Sequence, residues 1–159
     1  LRGLMVEHGL DPQEYIDHLS QLDLTDVTPN PQLAAVLDEL DGRKIIYTNA
    51  FTGHTRDVME RIGITNHFDA IYDIGDADYV PKPAIESYHR LCTLHDIDPQ
   101  RAAMVEDIPR NLEPAAELGM TTVWVQTDTS WARDVTETDH IDHITDDLTE
   151  WLRDVTNTN

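Results

Sequence analysis

The chain has 159 residues, enough for one domain with its own core, and 40% of them are hydrophobic. It carries 31 acids against 11 lysines and arginines, a net charge of −20. That balance disfavours nucleic acid and anionic membrane as partners, and it repels a phosphorylated substrate unless a cation and local basic groups receive it.

Residues 1 to 22 place apolar side chains at Leu4, Met5, Leu10, Tyr15, Ile16, Leu19 and Leu22, with Gly9 and Pro12 as punctuation. The spacing predicts two helices joined at Gly9 to Pro12. Leu33 to Leu40 reads as a short amphipathic helix stopped by Asp41-Gly42. From there strands and helices alternate. Lys44 to Tyr47 reads as a strand, Thr52 to Ile62 as a helix capped by Gly63, and Asp69 to Ile74 as a second strand. Lys82-Pro83 precedes a helix from about Ala84 to His95, in which Cys92 packs beside Leu91 and Leu94. As the single cysteine, Cys92 leaves no internal disulfide and suits a reducing cytoplasm. Ala102 to Val105 reads as a buried strand, followed by a helix from Pro109 to Leu118 that Gly119 ends. Thr121 to Val125 is a further strand, residues 126 to 139 a loop, Ile141 to Ile144 a short strand, and Asp147 to Val155 a closing helix. No run approaches the roughly 20 apolar residues of a membrane-spanning helix. Alternation of this kind predicts a parallel sheet with crossover helices, an α/β core over residues 29–159. Residues 1–28, wholly helical in pattern, stand apart as a cap or side element. Because the chain opens on Leu1 within a helical pattern, it reads as a piece of a longer protein.

Polar groups cluster at three predicted strand ends. Thr48-Asn49 ends one strand, Lys82 follows the next, and Glu106-Asp107 ends the third. A hydroxyl and an amide can hold oxyanion oxygens, a lysine can balance a phosphoryl charge, and paired carboxylates favour a hard divalent cation between them. Each also has an ordinary reading: Thr-Asn as a turn signal, Lys82 as a solvated lysine, the acids as first-turn residues favoured by the helix dipole. The joint occurrence at the ligand-binding edge of an α/β sheet is what favours chemistry.

The order Thr48-Asn49, Lys82-Pro83, Glu106-Asp107 and then Asn111 resembles the second, third and fourth motifs of the haloacid dehalogenase-like phosphohydrolases. The intervals, 34 residues from Thr48 to Lys82 and 25 from Lys82 to Asp107, fit as well. The resemblance covers roughly residues 30 to 128, and residues 1–28 resemble the end of the helical cap inserted in such enzymes. Leu1 to Leu4, Ile45 to Ala50 and Ala77 to Pro83 are most similar to bacterial pyrimidine 5′-nucleotidases. The resemblance implies a three-layer Rossmann-like sheet and phosphoryl transfer through an aspartyl-phosphate that water hydrolyses. By the family's pattern Asp107, helped by Glu106, binds Mg²⁺. Thr48 grips the phosphoryl oxygens with Asn49 beside it, Lys82 stabilises the nucleophile and the transferring group, and Asn111 braces the loop. The acid pair favours the phosphatase branch over the dehalogenases, which need no metal. The implied substrate is a small phosphorylated metabolite, a nucleoside monophosphate above others, with a phosphosugar or phosphoglycolate as the alternative.

One motif of the family is missing. Its first, Asp-x-Asp-x-Thr or -Val at the end of an apolar strand, supplies the nucleophile. Asp76-Ala77-Asp78-Tyr79-Val80 matches the letters but falls six residues before Lys82, and Asp96-Ile97-Asp98 falls between a helix and a strand. Both read as solvated loop acids, and Asp139 to His143 as a surface segment, not a metal cluster. The expectation is therefore a fold lacking its first strand, with the nucleophile upstream of Leu1. Such a chain is inactive alone and open to aggregation along its unpaired edges. A non-catalytic binding protein of the same fold is the alternative from another class.

Overall fold

A computed structural model describes residue 9 and residues 22–128 and 138–158. The expected helices of residues 1–21 lie outside the described residues, as does part of the loop after Val125. The chain forms two compact units, divided between Pro81 and Lys82.

In the first unit, helix α1 (Pro31–Glu39) starts where Pro31 supplies the fixed φ of a first turn and the Asn30 side chain accepts from Leu33 N at 3.0 Å. It buries Val36 and Leu37. Strand β1 (Ile45–Tyr47) pairs in parallel with β2 (Ala70–Tyr72), Ile46 opposite Ile71, and the Tyr47 and Tyr72 rings meet edge-on at 5.2 Å. Helix α2 (Thr52–Ile62) crosses between them with Thr55 and Met59 inward and stops at Gly63, whose φ of 88° is left-handed.

Both strands are shorter than the apolar pattern suggests, for a local reason. Lys44 N donates to the Asp69 carboxylate at 2.7 Å and not to a ladder carbonyl. At the other end Asp73 accepts from Thr52 N and Oγ1, Gly75 N and Asp76 N, which turns the chain out of the sheet. Phe51 gives α2 no side-chain cap, so Asp73 fills that role from 21 residues further on.

The second unit opens with a cis Lys82-Pro83 bond and helix α3 (Ile85–Leu94), which buries Ser87, Tyr88 and Leu91. Strands β3 (Ala103–Glu106), β4 (Thr121–Val125) and β5 (His143–Thr145) form a parallel sheet in that order. Glu106 lies opposite Trp124, and Trp124 opposite Ile144. Helix α5 (Leu148–Thr158) closes the unit, with Leu152 buried and Trp151 against His143.

Two expectations are corrected here. The single helix from Pro109 to Leu118 is a 3₁₀ turn (Pro109–Asn111) followed by a short helix α4 (Glu113–Glu117). Pro114 is the cause, because a proline fits only a first turn and the helix restarts around it. The strand Ala102 to Val105 is not buried throughout: Ala103 and Val105 are exposed, Val105 at 38%, while Glu106 is inside. Among the described residues β3 pairs only with β4, leaving its other edge without a strand, and β1 likewise pairs only with β2. The architecture is α/β with parallel strands, as the alternation predicts, distributed over two sheets. Among the described residues no helix is long and apolar enough to cross a membrane.

Candidate active site

The second unit brings together Lys82, Glu106, Asp107 and Asn111. Strand β3 delivers Glu106 inward at its carboxyl end, and the residues beyond it leave the sheet in the Pro109–Asn111 turn. Lys82 forms an ion pair with the Glu106 Oε2. Both side chains are nearly buried, 9% and 7% exposed, so the pair is desolvated and each charge depends on the other. The second Glu106 oxygen accepts from Ile108 N at 3.3 Å, and Asn111, 3% exposed, also bonds the carboxylate.

Electrostatics split the two acids. Burial raises the affinity of Glu106 for a proton, but the Lys82 charge and the bonds from Asp107, Lys82 and Asn111 outweigh it. Glu106 is held below the ordinary glutamate range. Asp107 moves the other way, raised first by burial and then by its hydrogen bond to, and repulsion from, Glu106. One carboxylate is neutralised by a lysine and its neighbour lacks equal compensation.

That donor set fits a magnesium ion. Mg²⁺ takes one or two protein carboxylates, with water and phosphate oxygens completing its shell, whereas Ca²⁺ draws on more protein oxygens. Among the described residues no cluster of three or more His, Cys, Asp or Glu could hold a metal. Asp107 with Glu106 would hold the ion, and its charge would offset the repulsion that raises Asp107.

Thr48 and Asn49 stand at the carboxyl end of β1, in the first unit. Thr48 N donates to Tyr72 O at 3.0 Å, and Thr48 Oγ1 accepts from Ala50 N at 3.0 Å. This is a short hydroxyl-closed turn at a strand end, with Asn49 exposed on it. Asp76 and Asp78 are exposed in a turn where Asp78 and Tyr79 have φ of 55° and 59°, and Asp98 caps a 3₁₀ turn through Gln100 N.

Sequence reasoning missed what holds the acid loop. Three main-chain carbonyls, of Asp107, Pro109 and Asn111, accept from side chains on three other elements. Trp124 Nε1 donates to Asp107 O at 3.1 Å, and Tyr88 Oη donates to Asn111 O at 2.6 Å. His140 Nε2 lies 3.0 Å from Pro109 O; a carbonyl only accepts, so this nitrogen carries the proton. Nothing in the local pattern marks these donors, which lie 17, 23 and 31 residues from their acceptors. A cavity of about 460 Å³ at the amino end of β4 is lined by Gly119, Thr121, His140 and Asp142 among others. It is not this site, and its Asp142 is already committed to Thr122.

The comparisons with known proteins agree with an α/β fold of parallel strands. The family model for haloacid dehalogenase-like hydrolases matches residues 5–119. The chain belongs to that family of hydrolases. Among solved structures it is similar to L-2-haloacid dehalogenase from Xanthobacter autotrophicus (TM-score 0.68, 21% identity, 83% of this chain and 62% of that one). It is also similar to a HAD phosphatase from Thermococcus onnurineus (TM-score 0.62, 21% identity, 79% and 55%). A third is β-phosphoglucomutase from Clostridium difficile (TM-score 0.59, 17% identity, 91% and 62%). The chain therefore spans about three fifths of the length of these proteins, and at such identities the likeness is one of fold.

Proposed function

We propose that the chain is the larger part of a Mg²⁺-dependent phosphomonoester hydrolase of the cytoplasm. Its substrate in this reading is a pyrimidine nucleoside 5′-monophosphate. The observation that supports it is the buried Lys82–Glu106 pair beside the less compensated Asp107. A reaction at a halogenated carbon has no use for two adjacent acids, whereas a phosphate dianion in a chain of net charge −20 requires a cation to receive it. In this reading Lys82 holds Glu106 ionised and presents positive charge to the phosphoryl group. Asp107, with Glu106, would bind Mg²⁺, which when bound neutralises phosphate oxygens. Asn111 keeps the loop in place, and Thr48 with Asn49 grips phosphoryl oxygens. In this reading the nucleophilic carboxylate comes from a strand beside β3, whose other edge is unpaired among the described residues and whose Val105 is exposed.

The test is a substrate panel on the polypeptide encoded with its upstream segment, in Mg²⁺ and in EDTA. Hydrolysis of UMP, CMP and dTMP that EDTA abolishes is expected. Preference for hexose phosphate or phosphoglycolate would move the assignment to the alternative phosphatase. Metal-independent turnover of 2-chloropropionate would replace it with dehalogenation. Binding of Mg²⁺ and nucleotide without turnover would leave a non-catalytic protein of the same fold.

A further inference from the structure

Asp107, Pro109 and Asn111 alternate along the acid loop, and each offers its carbonyl to a side-chain donor from a different element. Trp124 is on β4, directly opposite Glu106 in the sheet register, and 6% exposed. Tyr88 is on α3 and fully buried. His140 lies in the turn before β5 and is itself held in place. Thr122, two residues before Trp124 and so on the same face of β4, donates Oγ1 to His140 O at 2.7 Å. Asp142 closes that knot, accepting from Thr122 N at 2.8 Å and returning its own N–H to Thr122 Oγ1 at 2.9 Å. One face of β4 therefore fixes the loop twice, directly through Trp124 and through His140.

The loop needs external fixing. A continuous helix would pair the Asn111 carbonyl internally, but Pro114 has no N–H to offer and leaves a 3₁₀ turn, in which Pro109 O also accepts from Leu112 N at 2.8 Å. Two like-charged carboxylates at its start also push against each other. We propose that Trp124, Tyr88 and His140 are positioning residues that hold the main chain of residues 107–111 so that Asp107 stays beside Glu106 in a metal-ready geometry. The inference rests on the magnesium reading of the acid pair.

Each donor can be removed, in Tyr88→Phe and His140→Leu with little change of shape and in Trp124→Phe with loss of ring volume, while His140→Gln restores an N–H to Pro109 O. Mn²⁺ affinity, measured by electron paramagnetic resonance on the polypeptide encoded with its upstream segment, is read beside the thermal midpoint and the hydrogen exchange of residues 108, 111 and 112. Faster exchange at those amides is expected in the three variants, with Mn²⁺ affinity weakened about tenfold, as for other outer-shell supports of a metal ligand. His140→Gln should recover affinity that His140→Leu loses. Unchanged affinity in every variant that folds overturns the inference, even if the thermal midpoint falls, because the donors would then serve stability alone. If the unaltered chain binds no Mn²⁺, the magnesium reading fails and the inference with it. Binding by the unaltered chain with unresponsive variants removes the inference only.

Discussion

At Lys82 and Glu106 the charges are buried together, and the consequences of separating them follow directly. Replacing Lys82 with methionine leaves a carboxylate 7% exposed without its cation, a change that costs about 3–5 kcal/mol when a buried pair is broken. Urea unfolding at pH 7 should show that loss, and a smaller one near pH 4, where an unpaired glutamate protonates. An equal loss at both pH values would contradict the electrostatic account. The pH dependence of the unaltered chain has two opposed parts. Glu106 is depressed below its ordinary 4.5, so its contribution is fully present above that value and disappears as pH falls through the folded pKa. Asp107 is raised above its ordinary 3.8, so the folded state binds the extra proton. Stability therefore falls as pH rises from 3.8 through the folded value and stays reduced above it. Asp107→Asn removes the second part. That variant should be more stable than the parent at pH 7, with the gain vanishing towards pH 3.8. A gain independent of pH would show that repulsion at Asp107 is not the cause.

Among the elements, α2 shows how separate signals fix the two ends of one helix. Its carboxyl end stops at Gly63, with φ 88° and open space where a Cβ would be. Gly63→Ala should thus cost about 1 kcal/mol through backbone conformation alone, with no steric clash to add to it. A neutral result in thermal unfolding would argue that the left-handed cap relaxes. The amino end depends on Asp73, whose carboxylate is depressed because its bonds from Thr52, Asp76 and Gly75 outweigh burial. Asp73→Ala should cost about 1–2 kcal/mol at pH 7, the range for loss of a helix cap. The deficit should shrink as pH falls through the Asp73 pKa. Much of this was legible in the sequence: the bounds of α2 and β4 and the stops at Gly63 and Gly119 follow from periodicity and glycine. The shortened strands were not. Side chains of Asp69 and Asp142 take over backbone donors that a strand pattern assigns to the ladder, and Asp73 draws the chain after β2 into a turn.

For the molecule as a whole, the net charge of −20 on 159 residues makes self-repulsion a general cost of compactness. Salt should relieve it. Thermal midpoints in KCl should rise from roughly 10 mM to roughly 1 M, over which the screening length falls from about 30 Å to about 3 Å. A flat or falling midpoint would mean that the acids are locally balanced.

The sequence by itself determined the alternation of strands and helices, the parallel class, the helix stops and the family motifs. Each depends on residues a few positions apart, or on residue order along the chain. It named Lys82, Glu106, Asp107 and Asn111, but treated the two acids nearly alike. Only the tertiary structure decided that Glu106 is the buried partner of Lys82 while Asp107 is left with the raised pKa. The strand pleat sends neighbouring residues to opposite sides, and which side holds a lysine depends on a helix start 24 residues away. The three donors to the acid loop were equally out of reach. Their hydrogen bonds join α3, β4 and the turn before β5, and packing alone brings those elements to one loop.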